Sequence, residues 1–318
     1  MKKLIIYFFI LYFVYLSLTA IASIISKPVT LSPAGNANEN VLMIINRDDY
    51  GIKQKAIEIY NEYSTKFNIV MLIPMKNLKI AEQENSNYSK YLSEDKQEWF
   101  KDELIPTAKI DYSTESNIVK YLKSPNLKYI YYSGDGNYEI GIGLCTGLYA
   151  TLPSSNLNNS YLNVMDISNI HFNKNQVWIA NACHGADGEF PLELYKEGLR
   201  HYASGVSTLI EPFDSDIGLD AFKEILEDEK PTSVIANGEL TSSIINAAQF
   251  EAAEYKTNPE KYNKNGNISI NGVWGIIDGN SCSTFNVLNS INIYNQKLSM
   301  PTSPTIGNWP FNPLNKYE

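Results

Sequence analysis

Cysteine and histidine are scarce in this chain, three of each in 318 residues. Cys145, Cys183 and Cys282 are too few for the dense disulfide framework of a small exported scaffold. Their odd number leaves at least one thiol outside any internal bridge. Cys145 and Cys282 are the two that could pair. No CxxC and no His/Cys cluster is present, so no metal site is expected, and no motif calls for a cofactor. Basic runs are missing as well. The formal charge is −9, and removal of residues 1–22, which carry two lysines and no acid, takes −9 to −11. That balance excludes nucleic acid and anionic membrane surfaces as partners of the main body. Gly141-Ile142-Gly143 starts like a dinucleotide fingerprint but lacks the sixth-position glycine and a helical pattern after it. The segment reads instead as a loop or short hairpin. Acids crowd at Glu211, Asp214, Asp216, Asp220, Glu224, Glu227, Asp228 and Glu229 without EF-hand spacing, so they read as a capped, solvated helix.

What is present begins with one charge-free run, Leu4 to Ile25, behind Lys2 and Lys3. It is as long as a membrane span, about 20 residues, and longer than the usual signal-peptide core. Ala20-Ile21-Ala22 nevertheless offers the small-x-small pattern of a cleavage site. Two readings stay open for residues 1–26: a cleaved signal peptide, or a membrane anchor over residues 4–25. Both export the body, either released as a secreted, periplasmic or luminal protein or held at the membrane, with Lys2 and Lys3 on the cytosolic side. The membrane is expected to be met only through this segment. Residues 27–40 are rich in Pro, Ser, Asn and Gly and read as a linker. Residues 41–298 read as one domain, and 299–318 as an irregular tail.

Within the domain, Val41 to Ile45 and Ile69 to Ile73 are continuous apolar runs, as in strands buried on both faces. Between them Ile52, Ala56, Ile59, Tyr60, Tyr63 and Phe67 form one helical stripe. Such a βαβ unit builds a parallel sheet. A helix is expected around Ser93 to Leu104, and another runs from a Ser113 or Thr114 cap to Lys123. Strands follow at Tyr129–Tyr132, Val177–Ala180, Gly205–Ile210 and Ile268–Ile277. Helices are expected at Asp166–Ile170, Pro191–His201, Leu219–Leu226 and Leu240–Tyr255. The order gives an α/β fold in three layers, with a mostly parallel central sheet and helices on both faces. Ligand sites in such sheets lie beyond the carboxyl ends of strands.

Two strings occupy such ends, 48 positions apart (135 to 183): Tyr132-Ser133-Gly134-Asp135-Gly136 and Asn181-Ala182-Cys183-His184-Gly185. A cysteine after a buried strand and before a helix is well placed as a nucleophile, because nearby main-chain N–H groups stabilise a thiolate and then an oxyanion. The pair resembles the two catalytic turns of the caspase-like superfamily: caspases, metacaspases, gingipains, legumains and their relatives. Metacaspases typically show YSGHG and DACHSG after their strands; this chain shows YSGDG and NACHGA. In caspases the histidine lies roughly 50 residues before the cysteine, and the spacing here agrees. The segment from Leu199 to Ile210 also resembles the next strand of bacterial caspase-like domains.

The resemblance implies roles residue by residue. Cys183 stands where the nucleophile stands, and Gly136 where the glycine of the oxyanion hole stands. Asn181 takes the place of an acid that helps bind a basic substrate side chain, which puts an Arg or Lys preference in doubt. Asp135 takes the place of the histidine. An ionised aspartate repels a thiolate and is a poor proton donor at neutral pH. Of the other histidines, His184 adjoins Cys183, His171 lies in the loop before a strand and His201 at a helix end; none reads as a substitute. Asp187 and Glu189 read as caps or solvated charge. The expected function is that of an exported, catalytically impaired relative of cysteine peptidases that binds a peptide or protein. An active cysteine endopeptidase with an unusual base is the alternative. An unrelated α/β binding domain is the second.

Overall fold

The computed structural model describes residues 40–46, 52–73, 109–134, 136–138, 145–149, 161–206, 209, 213–228, 235–258 and 272–286. The chain divides into two compact units, Met1–Asn36 and Ala37–Glu318. All of the first lies outside the described residues, as do the expected helix at 93–104 and the tail. Among the described residues no helix is long and apolar enough to cross a membrane.

The second unit is an α/β structure around a sheet of eight strands. In chain order its elements are β1 Asn40–Ile45, α1 Ile52–Tyr63, β2 Asn68–Ile73, β3 Lys109–Tyr112, α2 Glu115–Leu122 and β4 Leu127–Ser133. Then come β5 Gly136–Tyr138, β6 Cys145–Tyr149, β7 Tyr161–Leu162, α3 Val164–Ile167, β8 Val177–Asn181 and α4 Phe190–Lys196. Last are β9 His201–Gly205, α5 Phe213–Asp228, α6 Glu239–Thr257, β10 Val273–Asp278 and β11 Ser281–Asn286. The sheet runs β3-β2-β1-β4-β8-β9-β10-β11, and β5-β6-β7 form a separate antiparallel sheet. From β3 to β9 every pairing is parallel; β10 and β11 are antiparallel.

Alternation along the strands explains the packing. Val41, Met43 and Ile45 join one buried cluster with α1, α5 and α6; Leu42 and Ile44 join another with α2, α3 and α4. A central strand such as β1 therefore buries both rows of side chains, which is why its sequence reads as a continuous apolar run. Trp178, fully buried on β8, is ringed by Phe172, Phe190 and Tyr202 at centroid distances of 6.2, 6.0 and 6.0 Å. Each such ring pair contributes about 0.5–1.5 kcal/mol beyond burial. This anchors β8, and with it the turn that follows.

Several boundaries differ from expectation. The helix expected at 191–201 stops at Lys196, because Gly198 adopts φ +106, which favours glycine and ends the helix. The chain then returns early to the sheet, so β9 is His201–Gly205 rather than 205–210. His201 consequently opens a strand instead of closing a helix. α5 begins at Phe213, not Leu219, since Phe213, Ile217, Ala221 and Ile225 form a buried stripe at four-residue spacing. The glycine-rich 137–147 segment contributes strands β5 and β6, in accord with the short-hairpin reading. Thr114 caps α2 as expected, accepting the Asn117 N–H at 3.3 Å.

Candidate functional site

Strands β4 and β8 are parallel neighbours, with Ser133 directly opposite Asn181. The two turns therefore leave the sheet side by side at its carboxyl end. The Gly134 N–H donates to the Asn181 carbonyl at 3.2 Å. Gly136 then lies against the peptide of Cys183. A methyl group built on Gly136 would strike the Cys183 carbonyl oxygen and sit 3.0 Å from its carbon and 3.4 Å from Ala182 Cβ. The turns meet main chain to main chain, at a separation only glycine permits. Gly136, Asn181 and Cys183 are thus brought together. Asp135, bonded in the chain to Gly134 and Gly136, lies outside the described residues.

The turn bearing Cys183 is held from behind. Ala182 O accepts from the Gly205 N–H at 3.2 Å and from Ser204 Oγ at 3.2 Å. Ala186 N–H donates to Gly205 O at 2.9 Å, and the Tyr202 hydroxyl to Gly185 O at 2.6 Å. These bonds support His184 at φ +56, the one non-glycine residue with positive φ among those described. Such a conformation costs about 1–2 kcal/mol. The turn runs on to Glu189, and α4 begins only at Phe190. The expectation that Cys183 sits at a helix start is therefore corrected: seven positions (183 to 190) separate them, beyond the reach of first-turn helix electrostatics. Asp187 is buried rather than solvated, and its carboxylate accepts the Gly188 N–H at 3.0 Å. Glu189 is exposed and makes no side-chain cap.

Cys183 is half-buried, packed against the apolar cluster of α1, α5 and α6. Its Sγ accepts the Leu209 N–H at 3.3 Å and lies 3.8 Å from the Leu209 carbonyl oxygen. Cys282 is buried on β11; the Cys145 side chain, and with it the pairing considered for the two, lies outside the described residues.

Each of the three histidines faces a carboxylate. The His184 ring turns back to its own turn, with Nδ1 3.4 Å from Asp187 Oδ2. His201 is opposite Val177, four residues and about 13 Å along β8 from Asn181. It is buried there, with Nδ1 2.9 Å from Asp278 Oδ1. His171, exposed, lies 3.1 Å from Glu197 Oε2, also before the start of β8.

Asn181 is buried, and its Nδ2 donates to Ser215 Oγ at 2.8 Å. Ser215 belongs to a group that sequence reasoning misjudged. Asp214, Ser215 and Asp216 are buried in the first turn of α5, not solvated at a cap. Asp214 Oδ1 accepts the Trp274 indole N–H at 3.1 Å, and Asp216 pairs with Lys55 Nζ at 2.8 Å. Close approach of α5 is allowed by Gly218, where a methyl would lie 3.2 Å from Trp274 and 3.4 Å from Asn181 Cβ. The Phe213 stripe was the signal that could have placed these acids inside. Ser133, on the same sheet face as Asn181, is buried with its Oγ lacking a hydrogen-bond partner among the described residues. Asn181, Ser215 and Ser133 are thus a buried polar floor at the carboxyl end of the sheet. Among the described residues no group of three or more His, Cys, Asp or Glu is arranged to hold a metal ion. The chain matches no protein-family model and no curated protein.

Proposed function

We propose that the second unit is a three-layer, caspase-like domain whose peptidase chemistry is impaired and which binds an extended peptide or protein segment at the carboxyl end of β4 and β8. The observation that carries this reading is the main-chain contact between Gly136 and Cys183 across two adjacent parallel strands. It supports treating the two strings as one site. Cys183 is the nucleophile in this reading, and the N–H groups of Gly136 and Cys183 are the oxyanion donors. Asn181, tied to Ser215, belongs to the floor that receives a ligand side chain. Impairment follows from Asp135, an acid where the resemblance expects an imidazole to ionise the thiol and protonate a leaving amine; the three histidines pair instead with Asp187, Glu197 and Asp278. The protein acts outside the cytosol, released or anchored through residues 4–25.

The full-length chain and its Cys183→Ala variant are to be screened against one peptide library for binding and for cleavage. Binding by both without cleavage is the expected result. Cleavage that depends on Cys183 would establish the active endopeptidase instead. Neither binding nor cleavage would leave an unrelated α/β domain. Asp135→His is the companion variant: restored imidazole should raise cysteine reactivity at neutral pH.

A further inference from the structure

Three sources of thiolate stabilisation were open to Cys183: an imidazolium, a helix N-terminus and a main-chain donor. The first is replaced by Asp135, and the second begins only at Phe190. The third is present. Leu209 presents both its N–H and its C=O to the sulfur, and the two distances decide between them. At 3.8 Å the carbonyl is a marginal acceptor for a thiol proton, whereas at 3.3 Å the N–H is in contact with the sulfur. A neutral thiol is a weak acceptor and a thiolate a strong one, so the shorter bond favours the ion. Of the charged groups, the His184–Asp187 pair lies on the same turn and Asp135 adjoins Gly136 in the chain, while Asp214 is bonded to Trp274 and Asp216 to Lys55.

We infer that the main-chain N–H of Leu209 is a positioning donor for the Cys183 thiolate, and that the site consequently opens acyl bonds whose leaving group needs no proton: thioesters and aryl esters. The inference rests on the proposed function only in taking Cys183 as the reactive group. The missing histidine had two tasks. Leu209 supplies part of the first, holding charge on sulfur; nothing described supplies the second, protonating an amine. In the reaction the Cys183 thiolate attacks the acyl carbon and a new carbon–sulfur bond forms. The donor's thiolate or phenolate departs with its electron pair. Water then adds to the acyl group, returning the thiol and releasing a carboxylic acid. An amide stalls at the first step, because its amine cannot leave unprotonated.

The test uses the full-length chain with iodoacetamide, a peptide thioester and the matching peptide amide. Alkylation of Cys183 is followed against pH in wild type, Leu209→Pro, which lacks the N–H, and Leu209→Ala, which keeps it. Loss of one hydrogen bond to a charged group should move the midpoint up by about one pH unit in Leu209→Pro and leave Leu209→Ala unmoved. Should the proline variant fail to fold, the amide resonance of Leu209 in ¹⁵N-leucine-labelled wild type decides. It should titrate with the alkylation midpoint and stay still in Cys183→Ala. Mass spectrometry should find an acyl adduct on Cys183 from the thioester at least tenfold faster than on the same chain in urea, and none from the amide. An unmoved Leu209 resonance, equal shifts in both Leu209 variants, or no excess over the urea-unfolded chain overturns the inference. Peptide binding does not enter these readouts, so they can fail while the proposed function stands, and the reverse.

Discussion

Gly136→Ala tests the contact on which the site is built. Gly136 has no positive φ, so alanine introduces no backbone strain there. Its whole effect is steric. The added methyl would overlap the Cys183 carbonyl oxygen and meet the carbonyl carbon at 3.0 Å. That oxygen belongs to main chain and cannot rotate away as a side chain could. Relief requires the two turns to separate by about 1 Å, and overpacking of this kind costs roughly 1–3 kcal/mol. The upper half of that range is expected, because both turns are braced: one by Gly134 N–H on Asn181, the other by four bonds from Tyr202, Ser204, Gly205 and Ala186. Gly238→Ala is the control. Gly238 is at φ +93 with nothing within 4 Å of an added methyl, so it isolates conformational strain at about 1 kcal/mol. Urea unfolding would be followed by tryptophan fluorescence, and the Cys183 alkylation rate by mass spectrometry. Gly136→Ala should lower stability more than Gly238→Ala and be alone in changing the alkylation rate. A Gly136→Ala protein of wild-type stability and reactivity would show that the two strings do not form one site.

Other expectations concern stability. Glu115 is pushed up to about 7, chiefly by burial and then by the charge of Asp166. A carboxyl raised in the folded state contributes stability below its unfolded value of 4.5 that is lost as pH rises through 7. Glu115→Gln should match wild type below pH 4.5 and exceed it above pH 7, by no more than about 1 kcal/mol because solvent screens the half-buried group; parallel stability curves across that range would refute it. Asp278 is fully buried, bonded at 2.9 Å to His201 and at 2.8 Å to both the N–H and the hydroxyl of Thr241. Asp278→Asn turns an amide N–H toward one of those donors and should cost about 3 kcal/mol in urea unfolding, and a loss below 1 kcal/mol would contradict the network. Lys55→Met removes the cation from buried Asp216 and should cost about 2 kcal/mol in urea unfolding; unchanged stability would contradict the pairing.

The strands of the sheet centre were legible because burial on both faces leaves an unbroken apolar run, as in Val41–Ile45 and Val177–Ala180. Edge strands were not. Lys109-Ile110-Asp111-Tyr112 and Ser281-Cys282-Ser283-Thr284-Phe285-Asn286 are short and half polar, since an edge meets solvent and has one neighbour. The strand and helix around His201 were misplaced for a different reason. Asp214 and Asp216 read as solvated acids and His201 as a helix end, yet each is buried with a partner supplied by a distant segment. Asp278 and Trp274 on β10 pair with His201 and Asp214 at separations of 77 and 60 positions, where no local pattern could join them. The same limit hid Leu209, whose contact with Cys183 is made by main-chain atoms that carry no mark of residue type.

The contacts that join the two turns are likewise main-chain: Gly134 N–H with Asn181 O, and Gly136 with the Cys183 carbonyl. None of them uses the side chain at 135. Shape and chemistry at this site are therefore separable, and the residue between two glycines can be exchanged without removing any of these supports. This makes the sign of Asp135→His interpretable. A rise in thiol reactivity reports the exchange of a repelling carboxylate for an imidazole, not a repaired fold. It also orders the two stabilising effects. The Leu209 amide is a fixed dipole and persists at every pH, whereas an imidazole helps the thiolate mainly while it is protonated. The Asp135→His protein should therefore gain most near neutral pH, keep a smaller gain where the imidazole is neutral because the repelling carboxylate is gone, and converge on wild type only where both thiols are ionised. The amide's contribution would then be common to both proteins.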